Sequence, residues 1–164
     1  MLFRSAGVPD GLRTRLVTQD GVRAFVLATS GQTGAAPVLF SQKDVRQLQF
    51  AKGSIAAGIQ VLMKEMGVTP GDLQEVLLAG AFGSYIHPDA ARLIGLVPPV
   101  ELKRVRAVGN AAGEGAKIAL LSYREREAAE AMPSRLEYIE LSGREDFNDI
   151  FMSALRFPPI DGLP

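Results

Sequence analysis

The 164-residue sequence contains no cysteine and no tryptophan, and its one histidine is His87. Without thiols the chain forms no disulfide, offers no thiolate nucleophile, and ligates neither an iron–sulfur cluster nor a zinc ion of the usual kind. An excess of charge is also missing: 18 Lys and Arg stand against 18 Asp and Glu. No basic field therefore gathers nucleic acid or an anionic membrane, and there is no acidic tail. No apolar run is long enough to span a bilayer, and the start, Met1 to Gly7, lacks the apolar core of a signal peptide. A cytoplasmic setting is expected, with neither nucleic acid nor membrane as partner. What is present is enough chain, nearly half of it apolar, for one domain over 1–164 that buries a core without staples. Residues 1–11 and 159–164 are expected to be loose ends.

Strand-like runs at Leu12 to Thr18, Val22 to Ala28 and Pro37 to Phe40 are separated by Gln19-Asp20-Gly21 and Ser30-Gly31-Gln32-Thr33-Gly34, which predicts hairpins at a sheet edge. The second separator has neither the spacing nor the Lys-Ser/Thr of a nucleotide loop. Ser41 and Asp44 spell a capping box that opens the longest helix. Along it Leu48, Ala51, Ile55, Ile59, Leu62 and Met66 recur at three- and four-residue steps and predict its buried face, with Gly67 as the stop. The middle of this helix is made of small residues, Gly53, Ser54, Ala56, Ala57 and Gly58. Each glycine costs a helix roughly 1 kcal/mol relative to alanine, so something approaches closely there, either a neighbouring strand or helix or a bound ligand.

Thr69-Pro70-Gly71-Asp72 predicts a short helical turn, Val76 to Ala79 and Val105 to Val108 two buried strands, and His87-Pro88-Asp89 the start of a short helix stopped by Gly95. Ser122 and Glu125 open a charged surface helix through Met132, and Leu136 to Leu141 reads as a strand. Ser142 to Glu145 opens a last helix carrying Phe147, Ile150, Phe151, Ala154 and Leu155 on one side, as core or as a subunit contact. The alternation of helix and strand from Ser41 onward implies an α/β layered domain whose ligand edge lies at the carboxyl ends of the strands.

Chemistry-bearing residues are few. Gly80 and Gly83 follow a strand, where glycine either opens the backbone to a ligand or simply makes a tight turn. Gly109, Gly113 and Gly115 do not give the G-x-G-x-x-G of a dinucleotide site, and Ser84 lacks the G-x-S-x-G of a hydrolase elbow. His87 has no second histidine or cysteine with which to share a metal, and directly before Pro88 it reads as a cap or packing residue rather than a catalyst. No catalytic residue and no metal ligand is expected.

Val76-Leu77-Leu78-Ala79-Gly80-Ala81-Phe82-Gly83 resembles the adenosine motif of the acetate and sugar kinase, heat-shock chaperone and actin (ASKHA) superfamily, and Gly109 to Ala116 looks like its second connecting segment. More closely, Ser41 to Val45, Gln49 to Gly53, Ala57-Gly58-Ile59, Leu78 to Ile86, Gly109 to Ala112, Gly115-Ala116-Lys117 and Tyr138 to Ser142 resemble the carboxyl-terminal domain of the reductive activators of corrinoid-dependent enzymes, over about Leu12 to Pro158. The resemblance implies a ribonuclease-H-like (actin-like ATPase) α/β lobe, a mixed sheet with helices packed on it. It also implies purine contacts at Gly80, Ala81, Phe82 and Gly83, with Gln49, Lys52 and Gly53 from the long helix and Asn110 at the second junction.

Members of that family are longer, with an amino-terminal ferredoxin-like domain holding a 2Fe-2S cluster and a nucleotide-binding half with phosphate loops. They reduce a Co(II) corrinoid protein to Co(I), driven by ATP hydrolysis. This sequence has neither the cluster cysteines nor the phosphate loops, so it is expected to be the second lobe alone, binding ATP weakly or not at all and lacking ATPase and electron transfer by itself. The implied partners are a corrinoid protein or corrinoid-dependent methyltransferase, the missing N-terminal half of the activator, and a second copy in a homodimer. A rival reading is a non-enzymatic interaction or dimerisation domain of ASKHA-like fold, joined through Phe147 to Leu155; a small sugar or acetate kinase lobe is a third.

Overall fold

A computed structural model of the chain describes residues 9–159, and of residues 81–83 only the backbone. The described residues fall into two compact units, 9–51 with Pro159 and 52–158. Of the expected loose ends, 1–8 and 160–164 lie outside the described residues, whereas Asp10 and Gly11 belong to a helical turn, α1 (Asp10–Arg13). That turn takes the start of the run expected to be a strand from Leu12.

The first unit is built on an antiparallel meander of β1 (Leu16–Gln19), β2 (Val22–Ala28) and β3 (Val38–Ser41), in that spatial order. The expected hairpins are present. Asp20 and Gly21 turn the first with φ of 52° and 74°, the two positive angles that a two-residue hairpin loop matching strand twist requires. Across the ladder Leu16 faces Phe25, and Phe25 faces Phe40. The Ser30–Gly34 separator is not a plain loop but a single helical turn, α2 (Ser30–Thr33), ended by Gly34 in the left-handed region. Thr29 N–H donates to Gln32 Oε1 at 2.9 Å, which satisfies its first turn.

The long helix, α3 (Gln42–Glu65), begins in this unit and is opened by the expected box. Ser41 N–H and Oγ both donate to Asp44 Oδ2 at 2.7 Å, and Asp44 N–H donates back to Ser41 Oγ at 3.3 Å. These bonds to its ionised form hold the Asp44 carboxyl below its ordinary range.

In the second unit α3 ends in a paired stop: Gly67 (φ 63°) donates to Lys64 O, and Val68 to Met63 O at 3.0 Å. A turn at Pro70–Asp72 leads to β4 (Val76–Ala79), α4 (Gly80–Tyr85) and α5 (Pro88–Leu93). A second turn at Leu102–Arg104 leads to β5 (Val105–Gly109), α6 (Ala111–Leu121), α7 (Tyr123–Ala131) and α8 (Phe147–Ala154). β4 and β5 are parallel, Val76 facing Val105 and Ala79 facing Gly109. The α/β class read from the sequence is present, with its strands divided between one antiparallel and one parallel sheet. Leu78, Ala91, Leu96, Val97, Val100 and Val105 form the core under the parallel pair.

Four expectations give way to tertiary contacts. β4 and β5 are not fully buried: only one face meets that core, so Leu77 on the other is 53% exposed. The buried face of α3 is not the stripe of large residues, since Leu62 and Met66 are exposed. The buried positions are Val45, Lys52, Gly53, Ala56, Ala57 and Val61, and among them the small Ala56 and Ala57 receive Phe147, Ile150 and Phe151 of α8, so the close neighbour is a helix. Leu136 to Leu141 has no ladder partner among the described residues. There Glu140 accepts from Ser142 Oγ at 2.5 Å, from Tyr138 Oη at 2.7 Å and from Ser142 N–H at 3.1 Å, which pulls its carboxyl down to about 2.

Finally, α8 starts at Phe147 rather than Ser142, because the residues that would have opened it are tied elsewhere. Ser142 bonds Glu140, Arg144 reaches Glu65 Oε1 at 2.5 Å and Asp146 Oδ1 at 2.9 Å, and Lys64 reaches Asp146 Oδ2 at 2.5 Å.

This four-charge cluster joins the end of α3 to the start of α8 and gives an acid-stability prediction. The Arg144 and Lys64 cations hold the Asp146 carboxyl well below its ordinary 3.8. A carboxyl lowered by folding stabilises above its unfolded value, and that contribution is lost as pH falls through the folded one. The melting temperature of the wild type should therefore fall more steeply below about pH 4 than that of Asp146→Asn, with the two curves converging in acid. Parallel curves would remove the cluster from the account.

Candidate functional site

β4 and β5 end side by side, and each runs almost directly into a helix. β4 passes into α4 at Gly80 with no intervening residue, and β5 passes into α6 through Asn110 alone. The joints are glycines at positive φ, Gly80 at 67° and Gly109 at 61°. Among the described residues, a Cβ built on either meets nothing within 4 Å, so both present bare main chain. Parallel strands whose carboxyl ends feed helix starts are where open α/β sheets bind ligands. Ser84 Oγ donates to Gly80 O at 3.2 Å, occupying that carbonyl from within α4.

The eight residues expected to touch a purine meet different fates. Gly80 is at the open joint. Ala81, Phe82 and Gly83 lie in α4 rather than in a loop, and their side chains lie outside the described residues. Asn110 is the N-cap of α6, its Oδ1 accepting from Gly113 N–H at 3.0 Å. A Cβ at Gly113 would lie 2.4 Å from that amide, so glycine there serves the cap. Gln49 is half-buried in the part of α3 that belongs to the first unit.

Lys52 and Gly53 are held by the end of α8. Lys52 is 2% exposed; its Nζ donates to the Arg156 carbonyl and sits 5.2 Å from the centre of the Phe157 ring. Burial pushes its ammonium below its usual value. A Cβ on Gly53 would lie 3.0 Å from Leu155 Cδ2, so the space before it is occupied by Leu155. The open joint at Gly109 was absent from the expected set. Its signal in the sequence is that it ends the second strand as Gly80 ends the first.

His87 is a cap, as read: its Nδ1 accepts from Asp89 N–H at 3.3 Å. No cluster of three or more metal-ligating side chains occurs among the described residues. No helix among them is long and apolar enough to cross a membrane. The phenylalanines that the rival reading offered as a subunit contact, Phe147 and Phe151, are stacked at 6.1 Å between ring centres and packed on Ala56 and Ala57.

Over residues 4–163 the sequence matches the family described as the C-terminal domain of RACo, the ASKHA domain. It is 37% identical over 142 residues to the corrinoid activation enzyme RamQ of Eubacterium limosum, covering 86% of this chain and 24% of that protein. It is 25% identical over 118 residues to the [Co(II) methylated amine-specific corrinoid protein] reductase of Methanosarcina barkeri, covering 71% of this chain and 22% of the relative. A solved structure titled reductive activator for corrinoid, iron-sulfur protein superposes with a TM-score of 0.77 at 28% identity, over 89% of this chain and 23% of that one. The chain thus spans about a quarter of the length of the relatives it matches. Together with the α/β architecture and the paired strand-end joints, the match over nearly the whole sequence makes this chain a member of the RACo C-terminal ASKHA domain family.

Proposed function

We propose that this chain is the C-terminal lobe of an ATP-dependent reductive activator, which returns a corrinoid protein from Co(II) to Co(I). The observation that carries the reading is the pair of joints at Gly80 and Gly109: positive-φ main chain at adjacent strand ends, with no side chain among the described residues within 4 Å of a Cβ built on either. Such a backbone accepts a flat purine without steric conflict. When bound, ATP supplies the free energy of hydrolysis to an uphill electron transfer. The chain's own contribution is a surface for the nucleoside, formed by the main chain at Gly80 and Gly109 and the start of α4.

The remaining parts have to come from elsewhere in a longer activator. With no cysteine, the chain cannot ligate the 2Fe-2S cluster that passes the electron. Its sequence spells no phosphate loop, so the loops and magnesium ligands that phosphoryl transfer needs are assigned to the rest of that activator. Corrinoid protein, the N-terminal half of the activator and a cytoplasmic setting belong to this reading.

Two measurements test it. The isolated 164 residues should hydrolyse no MgATP and bind adenine nucleotide no tighter than about millimolar. Spliced into the 37% identical relative in place of its matching segment, they should support ATP-dependent growth of the Co(I) corrinoid absorption band. Gly80→Trp in that chimera should abolish nucleotide-dependent reduction while the folded circular-dichroism spectrum persists. Robust hydrolysis by the isolated chain, or a folded and nucleotide-indifferent chimera, refutes the proposal.

A further inference from the structure

The first unit carries a groove of about 470 Å³ lined by Val22, at the start of β2, and by Lys43, Arg46, Gln47 and Phe50 of α3. The four helix residues stand at i, i+3, i+4 and i+7, so they share one face. Both apolar members are open to solvent, Val22 at 43% and Phe50 at 60% exposure, and Lys43, Arg46 and Gln47 are exposed as well. A small-molecule pocket buries most of its ligand, which a groove with such exposed walls does not do. A polypeptide laid along it would make further contacts past its rim.

The charge of the groove is one-sided in a chain whose charges otherwise balance. Among the described residues neither Lys43 nor Arg46 is in an ion pair. Arg46 only reaches back to the Gln42 carbonyl, at 3.5 Å. The acids nearby in sequence do not line the groove: Asp20 lies in the turn before Val22, and the Asp44 carboxylate accepts from Ser41 N–H and Oγ at 2.7 Å. Two cations beside an exposed aromatic ring therefore favour a partner that brings carboxylates and an apolar side chain together.

We propose that this groove docks an acidic polypeptide segment of a partner protein, its carboxylates on Lys43 and Arg46 and an apolar side chain between Phe50 and Val22. Spacing specifies the segment further. From Lys43 to Phe50 the helix rises about 10 Å, the reach of about three residues of extended chain. An acid opposite Lys43 is thus followed three residues later by the apolar residue opposite Phe50, with a second acid between them for Arg46. The groove belongs to the first unit and the joints at Gly80 and Gly109 to the second, so the proposal stands or falls without the activator reading.

Amide chemical shifts of the nitrogen-15-labelled 164-residue chain, titrated with a blocked Gly-Glu-Glu-Ala-Leu-Gly peptide, test this. The shifts should move at residues 20–23 and 43–50, with a dissociation constant of about 1 mM or tighter that weakens as salt is added. Replacing both peptide acids by Gln, or its Leu by Ser, should weaken binding roughly tenfold. Lys43→Glu with Arg46→Glu should abolish binding of the acidic peptide and admit Gly-Lys-Lys-Ala-Leu-Gly at the same residues, a reversal that a merely unfolded variant would not give. Circular dichroism should be unchanged, because both positions are exposed. Shifts elsewhere or none at all, equal binding of the Gln peptide, or no reversal would overturn the proposal. So would saturation of the same amides by inorganic phosphate alone, in favour of a small-anion site, or shifts that follow the chain's own concentration without peptide, in favour of a second copy.

Discussion

Leucine in place of Gly53 should cost about 3 kcal/mol of folding stability, the upper part of the range for forcing a large side chain into a packed site. The first atom added already lies 3.0 Å from Leu155 Cδ2 and 3.4 Å from Leu155 Cα. A methyl tip could swing aside, but the Cα belongs to the turn that ends α8, so the remaining three carbons have to move a helix. The movement would lift Phe147, Ile150 and Phe151 from Ala56 and Ala57. Urea unfolding with an unchanged slope measures the loss. Gln60→Leu, on an exposed position of the same helix, should stay within about 0.5 kcal/mol of wild type. Equal stability of Gly53→Leu and wild type would mean that α8 does not seat on this face.

Lys52→Glu should do at least as much damage, at least about 3 kcal/mol. The native ammonium is buried, gives a hydrogen to the Arg156 carbonyl and lies over the Phe157 ring. A carboxylate there faces a carbonyl oxygen and the negative face of an aromatic ring, with water excluded. Lys52→Met separates charge from shape: it keeps the stem and gives up one hydrogen bond, for about 1 kcal/mol. Burial lowers the Lys52 ammonium below its ordinary 10.5, so the folded chain holds fewer protons there than the unfolded one as pH approaches that value. The contribution of Lys52 to stability accordingly rises with pH in that window, and Lys52→Met should flatten the rise. If Lys52→Glu proved as stable as Lys52→Met, the site would be wetter than it stands.

Features governed by neighbours in sequence were legible in it. The Ser41–Asp44 box, the Gly67 and Gly95 stops, the His87 cap and the Asp20–Gly21 turn depend on a few adjacent residues, and the chain spells each of them. What escaped depended on partners far away. The large apolar residues of α3 do not mark the face that α8 covers, because that helix, far away in the chain, seats on Gly53, Ala56 and Ala57, where small residues let a second helix come close. Leu136 to Leu141 has the composition of a strand and, among the described residues, no strand to pair with. At the candidate site the same division holds: Gly80 was visible as a glycine ending an apolar run, while the hold of Arg156, Phe157 and Leu155 on Lys52 and Gly53 could not be seen from the helix that carries them.

The two strand-to-helix joints leave no slack. A residue inserted at the end of β4 would turn α4 about its own axis by about 100°, swinging whichever side chains now line the strand end away from it, and the same holds for α6 after Gly109. Length changes of one residue there should be ruinous, although the local sequence would still read as strand, glycine, helix. The exposed turn at Ser30–Thr33, closed by its own cap and by Gly34, is where the chain can be lengthened without rotating anything else.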